Sequence, residues 1–391
     1  MKVALSKMDI GSILDLSNKE KTKTTSAVAL SSLGVNFKKS EHYRYFNLFY
    51  LLSNEFEIYS PITSTIKEGD LIIEDGAIVS APKDLKVNIV DEIDICKNHF
   101  DQIYYINHLL SQKIIKIDVD KDMVLNLKHI FLQNEKLLPY RINLNIKNGA
   151  KVTLYEDFED RLNSGLIFYG WDINIEDKSY LEFIRVQDEF EKSYNMVASH
   201  FINVEDEAKF DIKSFDIGEG KICHNLKIDI HKDSICDAKH LVYTDNNAIR
   251  ANNIKISHIK ENAKTNQEAR HVLKDRSTAI FDALIKVETK AKGAIAHQNN
   301  KSILLNDKAY MVSKPQLEIY IDELEASHGS TTGQIDPEEL FYIRARGIRE
   351  NEARKMIVLG FMKEVINSIK DEKKQNEIYK RFEEIYNRDT K

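Results

Sequence analysis

The sequence is sparing in the residues that usually punctuate or cross-link a chain. Of 391 residues, three are cysteine, five are proline, 14 are glycine and one is tryptophan. Cys96, Cys223 and Cys236 are odd in number and form no Cys-x-x-Cys pair, which excludes a disulfide framework and the close spacings of a zinc or ferredoxin site. No run approaches the ~18 consecutive apolar residues of a membrane-spanning helix. Met1 to Glu20 places Lys2, Lys7, Asp9 and Asp15 where a secretory signal keeps an apolar core, so the cytoplasm is the expected compartment. Charge is nearly balanced, 56 Lys and Arg against 62 Asp and Glu, and a net −6 offers no field to draw nucleic acid or an anionic membrane. Glycine-rich phosphate loops, nucleophile elbows and His-Glu-x-x-His are also missing. With 42% hydrophobic residues the chain can fill one large core or two modest ones.

What is present is an internal repeat. A short polar turn ending in a small residue recurs at Ala150, Ser179, Ala208, Ser234, Ala263, Ala294 and Ala309, at spacings of 29, 29, 26, 29, 31 and 15 residues. Four residues before most of these lies a branched apolar residue: Ile146, Ile175, Val204, Ile230, Ile259 and, before Ala309, Leu305; Lys290 is the exception. Two residues after them come Val152, Leu181, Phe210, Cys236, Thr265 and Met311. Alternation on each side of a tight turn, as in Ile142-x-Leu144-x-Ile146, is a strand signature. A strand-turn-strand unit of this size cannot bury its apolar face alone, so the units stack into a β-solenoid. A sandwich needs similar strands, but a period near 29 is less expected of it.

The flanks differ. Residues 1 to about 60 read as helical or irregular, with an apolar face at Ile13, Leu14 and Leu16, a polar spacer from Lys19 to Thr25, and aromatics beside charges from Glu41 to Leu48. Period-two patterning starts near residue 57, with a turn at Glu74-Asp75-Gly76, and residues 100–111 read as a short helix. The strand-rich core runs over 61–334. From 335 to 391 the pattern is helical: Asp336 caps a first helix with Pro337 at its first position and Glu339 completing a capping box, and Gly347 ends it. A second helix carries Ala353, Met356, Ile357, Gly360, Phe361, Val365, Ile366 and Ile369, and a third carries Ile378, Phe382 and Ile385.

Few residues offer chemistry. Cys236 occupies a core position of the repeat, although Cys223-His224 with Cys236 and His240 contains metal-capable side chains that adjacent rungs could bring together. His297-Gln298-Asn299-Asn300 reads either as an amide ladder capping a rung or as a polar cluster with a role. His328 stands among Ser327, Gly329, Ser330, Thr331 and Thr332, small neighbours that leave an imidazole accessible as ligand or proton carrier, or as an exposed turn residue without a role.

Three stretches, Lys314-Pro-Gln-Leu-Glu-Ile-Tyr320, Ser327-His-Gly-Ser-Thr-Thr-Gly-Gln334 and Leu340-Phe-Tyr-Ile-Arg-Ala-Arg-Gly-Ile348, closely resemble the SufB/SufD family of the SUF iron–sulfur cluster assembly system. The likeness is dense over about 290 to 365. Glu41 to Leu48 resembles the family's N-terminal signature, with Tyr43 where a tryptophan is usual. Ser-His-Gly is similar to SufD, whereas SufB has a Glu-His-Glu type sequence, an upstream cysteine and a longer N-terminal region with further cysteines. The resemblance implies a right-handed parallel β-helix between helical ends. It implies pairing with a SufB-like subunit, docking of the SufC-like ATPase on the C-terminal helices (Leu340, Phe341, Met356 and Phe361), and no enzymatic activity of its own. It also implies that His328 contributes to a transient iron–sulfur cluster at the SufB interface, with no cofactor held tightly by this chain alone. Two positions depart from the family: Ala326 stands where cysteine is frequent, and Arg349 where a helix-capping serine is common. A homodimeric scaffold working without SufB, and a β-helix enzyme acting on polysaccharides, are the competing expectations. Use of reduced flavin is left open.

Overall fold

The computed structural model describes residues 2–61, 65–160, 164–188 and 195–389. The chain opens with β1 (Lys2–Val3), α1 (Ile10–Leu14), α2 (Glu20–Leu33), α3 (Leu48–Leu52) and β2 (Phe56–Ile58). Short strands follow, β3 (Lys67–Glu68), β4 (Leu71–Glu74), β5 (Ala77–Ala81) and β6 (Lys86–Val90), then α4 (Gln102–Leu110). Next come the strand pairs β7 (Ile114–Val119) and β8 (Met123–Phe131), β9 (Lys136–Ile146) and β10 (Lys151–Asp160), and β11 (Leu166–Ile175) and β12 (Tyr180–Gln187). They continue as β13 (Asn195–Val204) and β14 (Lys209–Ile217), β15 (Lys221–Ile230) and β16 (Ile235–Thr244), and β17 (Ile249–His258) and β18 (Lys264–Leu273). The last pairs are β19 (Thr278–Val287) and β20 (Ala294–Leu304), and β21 (Tyr310–Ile319) and β22 (Leu324–Gly333). Odd strands from β7 stack in one parallel sheet and even strands from β8 in the other, so each pair is one coil of a β-solenoid of about seven turns from β9 onward. Solenoid stacking begins one coil before the repeat is visible in the sequence, because β7 and β8 already pair with β9 and β10.

The recurring small residues mark one edge of each coil for a backbone reason. The residue before each of them, Gly149, Lys178, Glu207, Asp233, Asn262 and Gly293, has φ between 54° and 72°, the left-handed region that lets the chain turn from one sheet to the other. The small residue then passes its carbonyl to the next coil: the amides of Tyr180, Lys209, Ile235, Lys264 and Ile295 donate to Ala150, Ser179, Ala208, Ser234 and Ala263 at 2.9–3.0 Å. Ala309 is not in this series. It lies on the opposite edge with Ala248 and Ser277, since Thr278 N–H reaches Ala248 O and Tyr310 N–H reaches Ser277 O; hence the half-period spacing. The inward slots before the turn hold Ile146, Ile175, Val204 and Ile230, all buried. Then the register passes to His258 and Val287 rather than Ile259 and Lys290, because the later turns are longer. After the turn, Val152, Leu181, Phe210, Cys236, Thr265, Ala296 and Ala326 stack in one column.

Helices cover the two outer faces differently. On the odd-strand sheet, α1 to α4 form a second core with Leu137, Leu166, Phe168, Val197, Cys223 and Ala251. The segment from Lys19 to Thr25 is not a spacer: it opens α2, and its Thr22, with Ser26 one turn later, is buried. Asp101 caps α4 and accepts hydrogen bonds from the Tyr43 hydroxyl, Ser199 Oγ and Asn225 Nδ2. Arg141, fully buried, crosses Gly170 to meet Asp172 at 2.8 Å and the Ser199 carbonyl at 3.0 Å. A Cβ on Gly170 would sit 2.1 Å from that carbonyl, so close approach demands glycine there. Burial pushes the Asp172 carboxyl up, but Arg141, His108 and Tyr104 outweigh it and hold it well below the usual carboxylate range.

On the even-strand sheet lie α5 (Pro337–Arg344), α6 (Glu350–Ile366) and α7 (Glu372–Asp389). Their core joins Val358, Met362, Val365 and Phe382 to Ile184, Phe215, Leu241 and Val272. Arg270 stacks on Phe361 and pairs with Glu364, while Arg381 bridges Asp157 at 3.3 Å and Asp188 at 3.1 Å. Asp336 caps α5 through the Glu338 amide, and Arg349 starts α6 with no side-chain cap. Among the described residues no helix is long and apolar enough to cross a membrane.

Candidate functional site

Both sheets end on the same coil. β21 is the last strand of one and β22 of the other, each ten residues long. Two adjacent edges therefore present unpaired backbone groups along one end of the molecule, the arrangement soluble proteins normally shield. Pro315, which lacks an amide hydrogen, is tolerated in β21 because that strand is an edge. Tyr310, Ile319 and Tyr320 lie exposed there.

His328 sits in the middle of β22, opposite Gln298 of the preceding coil. Strand alternation places Ala326, His328 and Ser330 on the inward side of the last coil. The Ser330 hydroxyl confirms this by meeting Ser313 Oγ of β21 across the mouth at 2.7 Å, and Asn300 Nδ2 donates to Ser313 at 2.8 Å. No further coil covers that mouth, so His328 is exposed and, among the described residues, its ring has no hydrogen-bond partner. A Cβ on Gly329 would meet nothing nearer than Asn299 Oδ1 at 3.6 Å, and one on Gly333 nothing within 4 Å. Packing within the chain does not require these glycines, and at both positions the outer side of β22 is open.

The stretch from Lys314 meets the N-terminal segment in space. Lys314 Nζ lies 3.4 Å from Glu41 and 3.2 Å from Asp282, His42 is 3.9 Å from the same aspartate, and the Tyr45 and Tyr310 rings are 6.5 Å apart. Two motifs 273 residues apart in sequence thus brace the same coil.

The remaining candidates separate. His297 points to the outer face, with Nδ1 against Ser327 Oγ at 2.8 Å and Nε2 3.4 Å from Glu325. Its neighbour Gln298 donates to Gln267 Oε1 at 2.7 Å, an amide step inside the solenoid. Cys223, His224, Cys236 and His240 are not brought together as ligands. Cys223 faces the N-terminal helices, His224 accepts from Arg185 at 2.9 Å, Cys236 lies in the interior column, and His240 meets Ser214 at 2.6 Å. Burial pushes both thiols up and both imidazoles down, so none is poised as a thiolate or cation. The one grouping of three ligand-type side chains among the described residues is Glu205, Asp206 and His231, and Lys260 already pairs with Asp206 at 2.8 Å. In the tail, Leu340 is buried and Phe361 half-buried against Arg270, whereas Phe341 (71%), Tyr342 (62%) and Met356 (52%) are each exposed. Sequence periodicity missed Tyr342, whose ring is covered by Arg346 at 3.5 Å, and assigned Met356 to the buried stripe that Val358, Leu359 and Met362 in fact share.

The family described as SUF system FeS cluster assembly, SufBD core domain, matches residues 129–361, more than half of the chain. The iron-sulfur cluster assembly protein SufD of Escherichia coli is 29% identical over 246 residues, 62% of this chain and 58% of that protein. SufD of Plasmodium falciparum is 27% identical over 258 residues, 65% of this chain and 17% of that protein. SufD of Bacillus subtilis is 36% identical over 98 residues, 25% of this chain and 22% of that protein. The match thus spans little more than half the length of the first relative and under a quarter of the other two.

Proposed function

This chain belongs to the SufB/SufD family of the SUF iron–sulfur cluster assembly system as a SufD-like member, and from that premise we propose that it is a non-catalytic cytoplasmic scaffold subunit whose last solenoid coil docks a SufB-like partner. The observation that carries this reading is the pair of open edges on β21 and β22. An extended strand of a partner laid along either edge would satisfy a row of backbone groups, and each hydrogen bond so made contributes about 0.5–1.5 kcal/mol. The bare glycines of β22 leave room for that approach.

His328 then becomes this chain's contribution to a nascent cluster, which is cargo of the assembly. It is the accessible imidazole at the mouth, and the three cysteines of this chain are all buried. Ala326 supplies no thiolate, so the soft sulfur ligands that an iron–sulfur cluster needs come from the partner. The C-terminal helices are the surface for a SufC-like ATPase, because Phe341 and Tyr342 of α5 and Met356 of α6 are exposed there, away from the edge strands that meet SufB.

Co-expression with SufB-like and SufC-like subunits tests the reading. Native mass spectrometry is expected to give one complex containing all three, and His328→Ala is expected to leave its subunit count intact while reducing cluster absorbance. Recovery of the chain only as a homodimer in the presence of both partners would refute the pairing. Truncation after Gly333 is expected to lose the ATPase, and retention would refute the docking surface.

A further inference from the structure

Away from the open end, the N-terminal helices enclose a cleft of about 790 Å³ between α2, α4 and the segment after β6. Its walls are partly apolar (Leu16, Ile58, Leu109 and Leu110), and Lys19 projects into it just ahead of α2. The Lys19 ammonium donates to the Ser111 carbonyl at the end of α4, and among the described residues it has no carboxylate within ion-pair distance. Of the three acids lining the cleft, Asp91 pairs with Lys113 at 2.5 Å, Glu92 accepts from the Thr22 amide at 3.4 Å, and Glu20 opens α2 without an ion pair to Lys19. Lys19 is thus an amine held at one contact, half-buried, with open volume in front of it.

We propose that Lys19 is an acylation site that takes a small activated acyl group from the cleft. The amine nitrogen attacks the acyl carbonyl carbon, a C–N bond forms, and the bond from that carbon to phosphate or thiolate breaks. The leaving group departs with the electron pair, and the amine proton goes to solvent. Electrostatics favours the reactive form. Burial lowers the Lys19 pKa to about 8, Arg141 and Lys113 press in the same direction, and Glu92 and Asp91 oppose it. The ordinary lysine value is about 10.4. At about pH 7.5 the neutral fraction is therefore roughly 200-fold larger than for such a lysine, while reduced basicity cuts nucleophilicity roughly tenfold if amines follow the exponent of about 0.4–0.5 known for thiols. A net advantage of roughly 10- to 20-fold in rate is expected.

The test uses the full chain, treated at about pH 7.5 with acetyl phosphate in one arm and a small acetyl thioester in the other, and follows each lysine by peptide mass spectrometry. Lys19 is expected to acylate roughly 10- to 20-fold faster than Lys21 and Lys113, which are ion-paired nearby, and the arm that labels identifies the donor. Its rate is also expected to level off above about pH 8 while that of Lys21, whose ammonium Asp94 holds above the ordinary value, keeps rising, a signature that a merely accessible lysine does not give. Lys19→Arg should remove that fast phase without altering the others. Equal rates for Lys19 and its neighbours in both arms, or a common pH profile, would overturn the proposal.

Discussion

Acidification should unfold this protein sooner than its surface charge suggests, because several histidines are locked into the structure as neutral rings. Burial holds His99 and His240 down at about 3, and His258 and His271 at about 4. Each of these values lies below the ordinary histidine value of about 6.5, so in that window the unfolded chain binds protons that the native chain refuses. The stability these four confer is complete above about pH 6.5 and is lost as pH falls below it, at about 1.4 kcal/mol per histidine per pH unit. By about pH 5 the four together remove about 8 kcal/mol, a large part of the 5–15 kcal/mol that holds a typical domain folded. Asp101, Asp188 and Asp237, pushed up by burial, work in the opposite sense, whereas Asp172, held well below the usual range, adds to the loss. Trp171, the single tryptophan, is buried in the solenoid and makes a direct probe. Its emission and the far-ultraviolet dichroism are expected to change together with a midpoint between about pH 4.5 and 5.5. Native emission persisting at about pH 4 would refute the reasoning.

Two further perturbations separate the parts of the fold. Gly170→Ala forces a Cβ against the Ser199 carbonyl and the Arg141 guanidinium, and a buried ion pair broken this way costs about 3 kcal/mol or more, to be read as a lowered thermal midpoint. Arg381→Ala unfastens α7 from β10 and the residue after β12 and leaves the half-buried Asp188 without its partner, so hydrogen exchange in residues 372–389 should accelerate by about tenfold while the solenoid amides stay protected.

Much of this architecture was legible because its repeat is enforced by backbone geometry. A left-handed residue followed by a small one must recur wherever the chain turns between sheets, and that leaves a trace at Ala150, Ser179, Ala208, Ser234, Ala263 and Ala294. Register was less legible, since linear spacing cannot see that the turns before Ala263 and Ala294 are longer and hand the inward slot to His258 and Val287. Polar residues misled where they are buried: Thr22, among the charged and polar residues from Lys19 to Thr25, made the start of α2 resemble a spacer. The separation of Cys223 from His224 could have been read from alternation, which sends adjacent strand residues to opposite faces. In the tail, helical periodicity found α6 but rotated its face, exchanging Met356 for Met362. The small neighbours of His328 marked its imidazole as accessible, but nothing in them reveals that the solenoid stops there.

Backbone hydrogen exchange over residues 310–319 and 324–333, compared between the isolated chain and the complex with a SufB-like subunit, tests the central claim most directly. Amides of β21 and β22 not already bonded to β19 and β20 are expected to exchange quickly in the isolated chain and to slow by at least about tenfold in the complex, as new strand pairing requires. A stable complex in which those amides exchange at unchanged rates would contradict it, since the partner would then be bound somewhere other than the open end of the solenoid.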